Sequence, residues 1–167
     1  MADRFLRLIV MRHAKSSWAS EAATDHERPL NERGRRDAPR IAERLVELGW
    51  VPSRVLSSDA ARTQETWASM ADTLPPPEAV RFTRRLYHGG IEAVVDVMRD
   101  EPNDAACIML IGHNPGWEDV VDWLSGEPIR MTTANAVLLR HERVPWAASL
   151  APDAWSLVDV LRPRELP

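Results

Sequence analysis

The chain contains a single cysteine and no long apolar run, and each of these absences narrows its class. With Cys107 alone, an intrachain disulfide is impossible, which favours a reducing compartment and predicts a cytoplasmic protein. Arg7 interrupts the apolar stretch near the N-terminus, so only Leu8 to Met11 run unbroken. Four residues are too few for a secretion-signal core or a membrane span. We therefore expect no membrane partner.

Basic residues are not in excess either, since the 167 residues carry a formal net charge of −4. This balance argues against a protein that coats nucleic acid, although an acidic protein can still hold a basic pocket. The sequence also lacks a Gly-x-x-x-x-Gly-Lys-Ser/Thr phosphate loop and a cysteine cluster for zinc. We expect no nucleic-acid partner, no metal and no cofactor.

What is present is an alternation of short apolar runs with amphipathic segments, in a chain with 44% apolar residues. The length and composition predict a single domain over residues 1–167. The predicted strands are Arg4–Arg12, Arg54–Ser57, Val80–Thr83, Ala105–Gly112, Ala134–His141 and Trp155–Arg162. The predicted helices are a segment from Asn31 to about Gly49, Ala60–Leu74, Ile91–Arg99 and Trp117–Leu124. Pro39 is expected to kink the first helix or mark a late start, and Glu142–Asp153 is expected to be a loop.

This alternation predicts an α/β fold, a three-layer sandwich with a largely parallel central sheet flanked by helices. Antiparallel strands are expected only late in the chain. In such sheets the chemistry lies beyond the carboxyl ends of the strands.

Two of the predicted strands end in a histidine. Arg12-His13 follows one apolar run, and Gly112-His113-Asn114-Pro115 follows the other. If the two strands lie side by side and parallel, both imidazoles enter one crevice. Arg62, shortly after a third strand, can add a second guanidinium beside Arg12.

Two histidines and two arginines suit a phosphoryl group. Arginine offers paired donors that match phosphate oxygens, so Arg12 and Arg62 are the predicted clamp. A neutral imidazole is a nucleophile at physiological pH, and nearby cations lower its pKa. We predict that His13 attacks and that His113 stabilises charge or donates a proton.

The same residues resemble a known family. Leu8–Trp18 resembles the Arg-His-Gly signature of the histidine phosphatase superfamily, in an Arg-His-Ala variant. Asp25–Gly34, Ser57–Thr66 and Gly112–Gly116 are similar to its SixA-type phosphohistidine phosphatase branch. The resemblance implies a phosphoglycerate-mutase-like fold and a metal-independent phosphatase. It also implies that His13 is phosphorylated, with the phosphate pocket completed by Arg12, Arg62 and His113.

One departure concerns the proton donor. Larger relatives carry a general-acid carboxylate, often in a Leu-x-Glu context, where this chain has Leu86-Tyr87-His88. Alkoxide leaving groups need a proton, whereas imidazole has a conjugate acid with a pKa near ~6.5 and departs more readily. The missing acid therefore favours phosphohistidine on a protein as substrate. Candidate donors left open are Tyr87, His88, Glu118 and Asp119.

Two other functions remain open: the same mechanism on a small phosphorylated metabolite, and a non-catalytic phosphate-binding module. The second is disfavoured because binding alone requires no nucleophile. Several residues have two interpretations each. Lys15, Ser16 and Ser17 either donate to phosphate or to a protein substrate, or are simply solvated. Trp18 and Trp117 either form a lip over the pocket or pack in the core. Thr132, Thr133 and Asn135 precede a strand near the site, Cys107 is expected to be a buried inert thiol, and the default expectation for His26, His88 and His141 is the surface.

Overall fold

Residues 3–167, which the computed structural model describes, form a six-stranded sheet in the order β3-β2-β4-β1-β5-β6. The strands are β1 (Phe5–Arg12), β2 (Arg54–Ser58), β3 (Ala79–Thr83), β4 (Cys107–Gly112), β5 (Ala136–Glu142) and β6 (Ser156–Leu161). The first four neighbours in that order are parallel, and β5 is antiparallel to both β1 and β6. The prediction of a largely parallel sheet with a late antiparallel member is confirmed.

Five helices in the described part of the chain cover the two faces of the sheet: α1 (Glu32–Glu47), α2 (Ala61–Ala71), α3 (Ile91–Met98), α4 (Gly116–Ser125) and α5 (Trp146–Ser149). Alternate residues of a strand point to opposite faces. In β1, Leu8 and Val10 pack with α3, α4 and α5, whereas Ile9 and Met11 pack with α1 and α2. Residues 8–11 of β1 and all of β4 are buried on both faces, and both stretches are continuous apolar runs, as is typical of such strands.

The register of β1 and β4 positions the site. The two strands are parallel, and Arg12 pairs with Gly112. His13 and His113 therefore leave the same edge of the sheet, one residue beyond the pairing.

The structure departs from the predicted elements in two places. α1 begins at Glu32, directly after its N-cap Asn31, and continues through Pro39, so a late start is wrong. A proline removes one helical hydrogen bond, and the carbonyl that loses its donor belongs to Arg35, an exposed residue.

The second departure is α5, which lies inside the predicted loop 142–153. Its Trp146 is fully buried, and the indole Nε1 donates to the carbonyl of Ala105 at 3.0 Å. The sequence did not predict α5, because a helix of four residues is too short to show hydrophobic periodicity and its burial depends on a contact distant in the chain. Between residues 3 and 167, no helix has the length and apolarity needed to cross a bilayer.

Candidate active site

The two strand ends bring the histidines together. The imidazole centroids of His13 and His113 are 5.3 Å apart, with the ring planes inclined by 52°. The amide of His13 donates to the carbonyl of Gly112 at 3.0 Å, which extends the strand pairing by one residue. Both side chains are buried, so the pair lies below the protein surface.

The environment of His13 determines which nitrogen is reactive. Nδ1 lies 2.7 Å from the carbonyl oxygen of Ala14. A carbonyl can only accept, so Nδ1 carries the proton and Nε2 keeps its lone pair. Burial, followed by the charges of Arg62, Arg12 and Arg28, lowers the pKa of His13 to about 3. The nucleophilic form of the ring is therefore present at neutral pH.

His113 is held by the end of β2. Its Nε2 lies 2.8 Å from Ser58 Oγ. Its Nδ1 is buried and has no hydrogen-bond partner within residues 3–167. Burial first, and then the neighbouring His13 and Arg62, lower the pKa of His113 to about 2. The ring is neutral and its Nδ1 is available for a ligand.

Two guanidinium groups reach the histidine pair from different elements. Arg12 ends β1, and its Nη1 donates to the carbonyl of Met131 at 3.0 Å. Arg62 lies in the first turn of α2, and it donates to the backbone oxygen of Asp25 at 2.8 Å and to its Oδ2 at 3.0 Å. The Nε atoms of both arginines are buried and unpartnered among the described residues. An unmet buried donor costs about 1–3 kcal/mol, so these donors are suited to an anion.

A third guanidinium, Arg28, also faces the site. Its side chain is 11% exposed, donates to Ser16 Oγ, and bonds to Asp25 Oδ1 at 3.1 Å. Its Nε is another buried atom without a partner in the described chain, and its charge contributes to the low pKa of His13. Sequence reasoning missed this residue. The available signal was that Arg28 lies in the segment Asp25–Gly34, which resembles the family. No local sequence pattern, however, shows that this segment folds back onto His13. We call Arg12, His13, Arg28, Arg62 and His113 the phosphate pocket.

The start of α1 supports the backbone that follows His13. The amide of Asn31 donates to the carbonyl of Lys15 at 2.9 Å, and the Asn31 side chain accepts from the amide of Gly34 at 2.9 Å. A Cβ on Gly34 would lie 2.2 Å from the carbonyl oxygen of Lys15. Glycine is therefore required there by close backbone approach.

Three residues surround the solvent side of the phosphate pocket, and we call Asp25, Tyr87 and His88 the rim. The hydroxyl of Tyr87 donates to Asp25 Oδ2 at 2.6 Å, and His88 Nε2 lies 3.3 Å from the same oxygen. The hydrogen bond from Tyr87, supported by those from Arg28 and Arg62, holds the pKa of Asp25 well below its usual range. Burial and the Asp25 carboxylate raise the pKa of Tyr87. The rim therefore carries a carboxylate, not a carboxylic acid.

Comparison with known proteins identifies the family of this chain. The model of the histidine phosphatase superfamily (branch 1) matches residues 8–88. A candidate phosphohistidine phosphatase SixA from Agrobacterium tumefaciens superimposes with a TM-score of 0.79, 26% identity and coverage of 94% of this chain and 97% of that one. This chain belongs to the histidine phosphatase superfamily. It falls in the SixA-type branch of that superfamily, and is accordingly a phosphatase.

Two further proteins are similar to this histidine phosphatase over almost its whole length. An uncharacterized chloroplastic protein of Arabidopsis thaliana is 38% identical over 172 residues, which cover 94% of this chain and 78% of the relative. The protein histidine phosphatase SixA complexed with tungstate has a TM-score of 0.83 at 23% identity, covering 97% of this chain and all of that one. That last likeness shows the phosphoglycerate-mutase-like α/β fold.

The remaining candidate residues of the histidine phosphatase divide into several groups. Glu118 has a structural role, because its Oε1 accepts hydrogen bonds from Asn114 Nδ2 at 3.0 Å and from the amide of Met131 at 2.9 Å. Asp119 is exposed on α4. Neither carboxyl lies among the rim contacts. Glu118 instead holds Met131, whose carbonyl orients Arg12.

The two candidate tryptophans differ in their burial. Trp117 is fully buried in the core and forms no lip. Its ring lies so close to Gly112 that a Cβ there would approach it to 2.5 Å. Trp18 is 79% exposed and packs its ring on the Arg28 guanidinium at 3.7 Å. Only Trp18 can act as a lip.

His88 is exposed, as expected by default, and His26 is half-buried, yet each has a specific partner at the site. The His26 ring lies 4.8 Å from the Tyr87 ring, and its Nε2 is 2.6 Å from Asp59. His88 belongs to the rim. His141 is half-buried beside Trp155, away from these contacts.

Other polar candidates serve as backbone supports. Ser16 is buried against Arg28, while the Ser17 hydroxyl accepts from the amide of Ala19. The loop through Thr132 and Thr133 places Ala134, whose amide donates to the carbonyl of His13 at 2.9 Å. Asn135 Oδ1 accepts from Thr132 within this loop. Cys107 is buried, and burial raises its pKa to about 12, as expected for an inert thiol.

Proposed function

We propose that this phosphatase hydrolyses phosphohistidine on a signalling or phosphotransfer protein, through a phosphohistidine formed on His13. One observation carries the proposal: the three arginines whose charges lower the pKa of His13, and the His113 ring 5.3 Å from the His13 ring, each keep one buried polar atom without a partner in the described chain. These atoms are Arg12 Nε, Arg28 Nε, Arg62 Nε and His113 Nδ1.

A phosphoryl group would supply partners for these four atoms. It carries nearly two negative charges spread over three oxygens, and its transfer depends on charge neutralisation and in-line positioning. Three guanidinium groups provide the neutralisation, and their planar donors match the oxygens. In this mechanism arginine side chains do the work that a metal ion does in other phosphatases.

The chemistry proceeds in two steps. In the first, His13 Nε2 attacks phosphorus, an N–P bond to the enzyme forms, and the bond to the leaving group breaks with its electron pair moving to the leaving atom. In the second, water attacks the phosphohistidine, releasing inorganic phosphate and restoring neutral His13. Because His13 lies at the bottom of the pocket, the leaving group departs toward the rim.

The rim favours an imidazole leaving group. An alkoxide needs a proton as it departs, and Asp25 is held in its charged form. Glu118 is committed to Asn114 and Met131. Imidazole leaves without a strong acid, and solved relatives at 26% and 27% identity are described as candidate phosphohistidine phosphatases.

A protein substrate is favoured over a metabolite by Trp18. Its indole is 79% exposed, yet it is held against Arg28 of the phosphate pocket. Rigid exposed aromatic rings supply contact area at low entropic cost and are frequent in protein interfaces. A small metabolite would have no use for this surface.

The test is to trap the intermediate. After incubation with a protein phosphorylated on histidine and rapid quenching, we expect acid-labile, base-stable phosphate on His13. The variant His13→Asn should form none and should lose turnover, whereas the matched variant His141→Asn should behave as the parent. Turnover of p-nitrophenyl phosphate by a folded His13→Ala variant at the parent rate would show that His13 is not the nucleophile. Faster hydrolysis of sugar phosphates than of phosphohistidine would overturn the substrate.

A further inference from the structure

An imidazole already lies at the mouth of the phosphate pocket. It belongs to His88, whose Nε2 is 3.3 Å from Asp25 Oδ2. The ring centroid is 4.2 Å from that of Tyr87 and 5.1 Å from that of His113. The rim can therefore hold an imidazole against a carboxylate, an aromatic ring and the phosphate pocket at once.

The acceptor in this arrangement is fixed in place. Oδ2 of Asp25 also receives the Tyr87 hydroxyl and Arg62 Nη2, and Oδ1 receives Arg28. The Tyr87 hydroxyl and the two charged guanidinium donors together hold the group as a carboxylate. The Asp25 side chain is nevertheless 43% exposed, so a ligand can reach it from solvent.

Asp25 also lies on the side of the pocket from which the leaving group would depart. Phosphoryl transfer requires the attacking and leaving atoms to be roughly in line through phosphorus. The attacking Nε2 lies on His13, which is 6% exposed at the bottom of the pocket. The departing atom must then face solvent, where Asp25, Tyr87 and His88 stand.

We propose that Asp25, set against Tyr87, is the acceptor that recognises the leaving imidazole of the substrate, at the place that His88 occupies in this structure. This inference rests on the proposed function and adds to it the residue that selects the leaving group. The His88 ring can be displaced by rotation of its side chain, because that side chain is 52% exposed.

The step balances without a proton donor at the bridging atom. The substrate ring carries the phosphoryl group on one nitrogen and a proton on the other, and the N–H donates to Asp25. When the bond from His13 to phosphorus forms, the N–P bond of the substrate breaks and its electron pair returns to the ring. The product leaves as neutral imidazole that still carries the same proton. Asp25 favours the protonated, positively charged phosphoimidazole that departs most easily.

A purely structural role for Asp25 makes a different prediction. If the carboxylate only braces Arg62 and Arg28, its loss should weaken every substrate by the same factor. If it also receives the N–H of the leaving ring, substrates with that N–H should suffer more.

The experiment compares Asp25→Asn with the parent on two substrates. One is a peptide phosphorylated on histidine, and the other is p-nitrophenyl phosphate, whose leaving group offers no N–H. We expect kcat/KM to fall about tenfold further for the phosphohistidine peptide than for p-nitrophenyl phosphate, as for loss of a hydrogen bond to a charged group. Asp96→Asn is the matched control, because Asp96 lies on α3 outside the site and forms ion pairs with Arg85 and Arg99.

Free imidazole gives a second measurement that does not require turnover of phosphohistidine. It should inhibit p-nitrophenyl phosphate hydrolysis by the parent. Its inhibition constant should rise about tenfold in Asp25→Asn, and should fall in His88→Ala because the competing ring is gone. Equal losses on both substrates, or unchanged inhibition by imidazole in Asp25→Asn, would overturn the inference. Failure of the proposed function is separate, since it would appear as a parent enzyme that cleaves other monoesters but not phosphohistidine.

Discussion

The phosphate pocket and the rim are built by opposite rules. His13, His113 and Arg12 lie on or just after strand ends, and both imidazoles are buried. Several of their polar atoms have no partner in the described chain. The rim residues lie on loops, are partly exposed, and already bond to one another. The pocket is therefore suited to binding an anion, whereas the rim is suited to contacting the leaving group to which that anion is attached.

The electrostatics of the two regions follow from this difference. Burial and neighbouring cations keep both histidines of the phosphate pocket neutral. Hydrogen bonds from cations and from Tyr87 keep Asp25 of the rim charged. In the proposed mechanism the pocket supplies a nucleophile and the rim supplies an acceptor, so changes in the pocket should affect all substrates and changes in the rim should discriminate among them.

The largest expected effect is in the pocket. Arg62→Ala should lower kcat/KM by about 100- to 1000-fold, the loss typical of one preorganised donor, and by a similar factor for p-nitrophenyl phosphate and a phosphohistidine peptide. Arg62→Lys should recover only part, because lysine keeps the charge without the planar pair of donors. A loss of kcat/KM confined to the peptide would mean that Arg62 acts like a rim residue, and it would contradict the proposed difference between pocket and rim.

The brace beneath the pocket should be almost as sensitive. Gly34→Ala pushes a methyl group into the backbone of Lys15 and should cost about 1–3 kcal/mol of unfolding free energy, as overpacking does. Urea titration measures this cost, and turnover should fall with it on all substrates. Gly49→Ala is not an equivalent control because Gly49 has φ +74°. Ala148→Gly on the short α5 serves instead as a change remote from the pocket.

The neutral histidines of the pocket should also make stability depend on pH. Unfolded histidine takes up a proton near ~6.5, whereas the folded values are about 3 for His13 and about 2 for His113. The unfolded state therefore binds more protons below ~6.5, and folding should weaken by about 1 kcal/mol per pH unit for each histidine as the pH falls from 6.5 to 4.5. Asp25, whose pKa is lowered, loses its contribution only at more acidic pH. Chemical denaturation of the parent and of His13→Asn at the two pH values should show a shallower slope in the variant; equal slopes would mean that His13 is protonated in the fold.

The smallest effect is expected outside the rim, at Trp18. Trp18→Ala should raise KM several-fold for a phosphorylated protein and leave p-nitrophenyl phosphate hydrolysis unchanged. Trp18→Phe, which keeps an aromatic face for Arg28, should lie between the two. If small and large substrates respond alike, Trp18 supports Arg28 and does not contact a partner.

Sequence reasoning predicted the phosphate pocket better than the rim. His13 and His113 follow unmistakable apolar runs, and the rule that chemistry lies beyond parallel strand ends placed them together. Arg28, Asp25 and Tyr87 carried no such signal. Arg28 and Asp25 lie on the same loop, but Tyr87 reaches Asp25 across 62 residues, and no periodicity reports a contact of that kind.

The amino-acid order alone determined the α/β class and the two histidines at strand ends, because hydrophobic periodicity and turn residues are local properties of a chain. The clamp of Arg12 and Arg62 stays a prediction from that order. Tertiary structure alone decided which nitrogen of His13 is free, that the Arg28 guanidinium faces the same site, and that Glu118 is a support. It also decided that the single carboxylate of the rim is held in its charged form. These features depend on burial and on partners distant in the chain, and pKa values and hydrogen-bond roles are set by those surroundings.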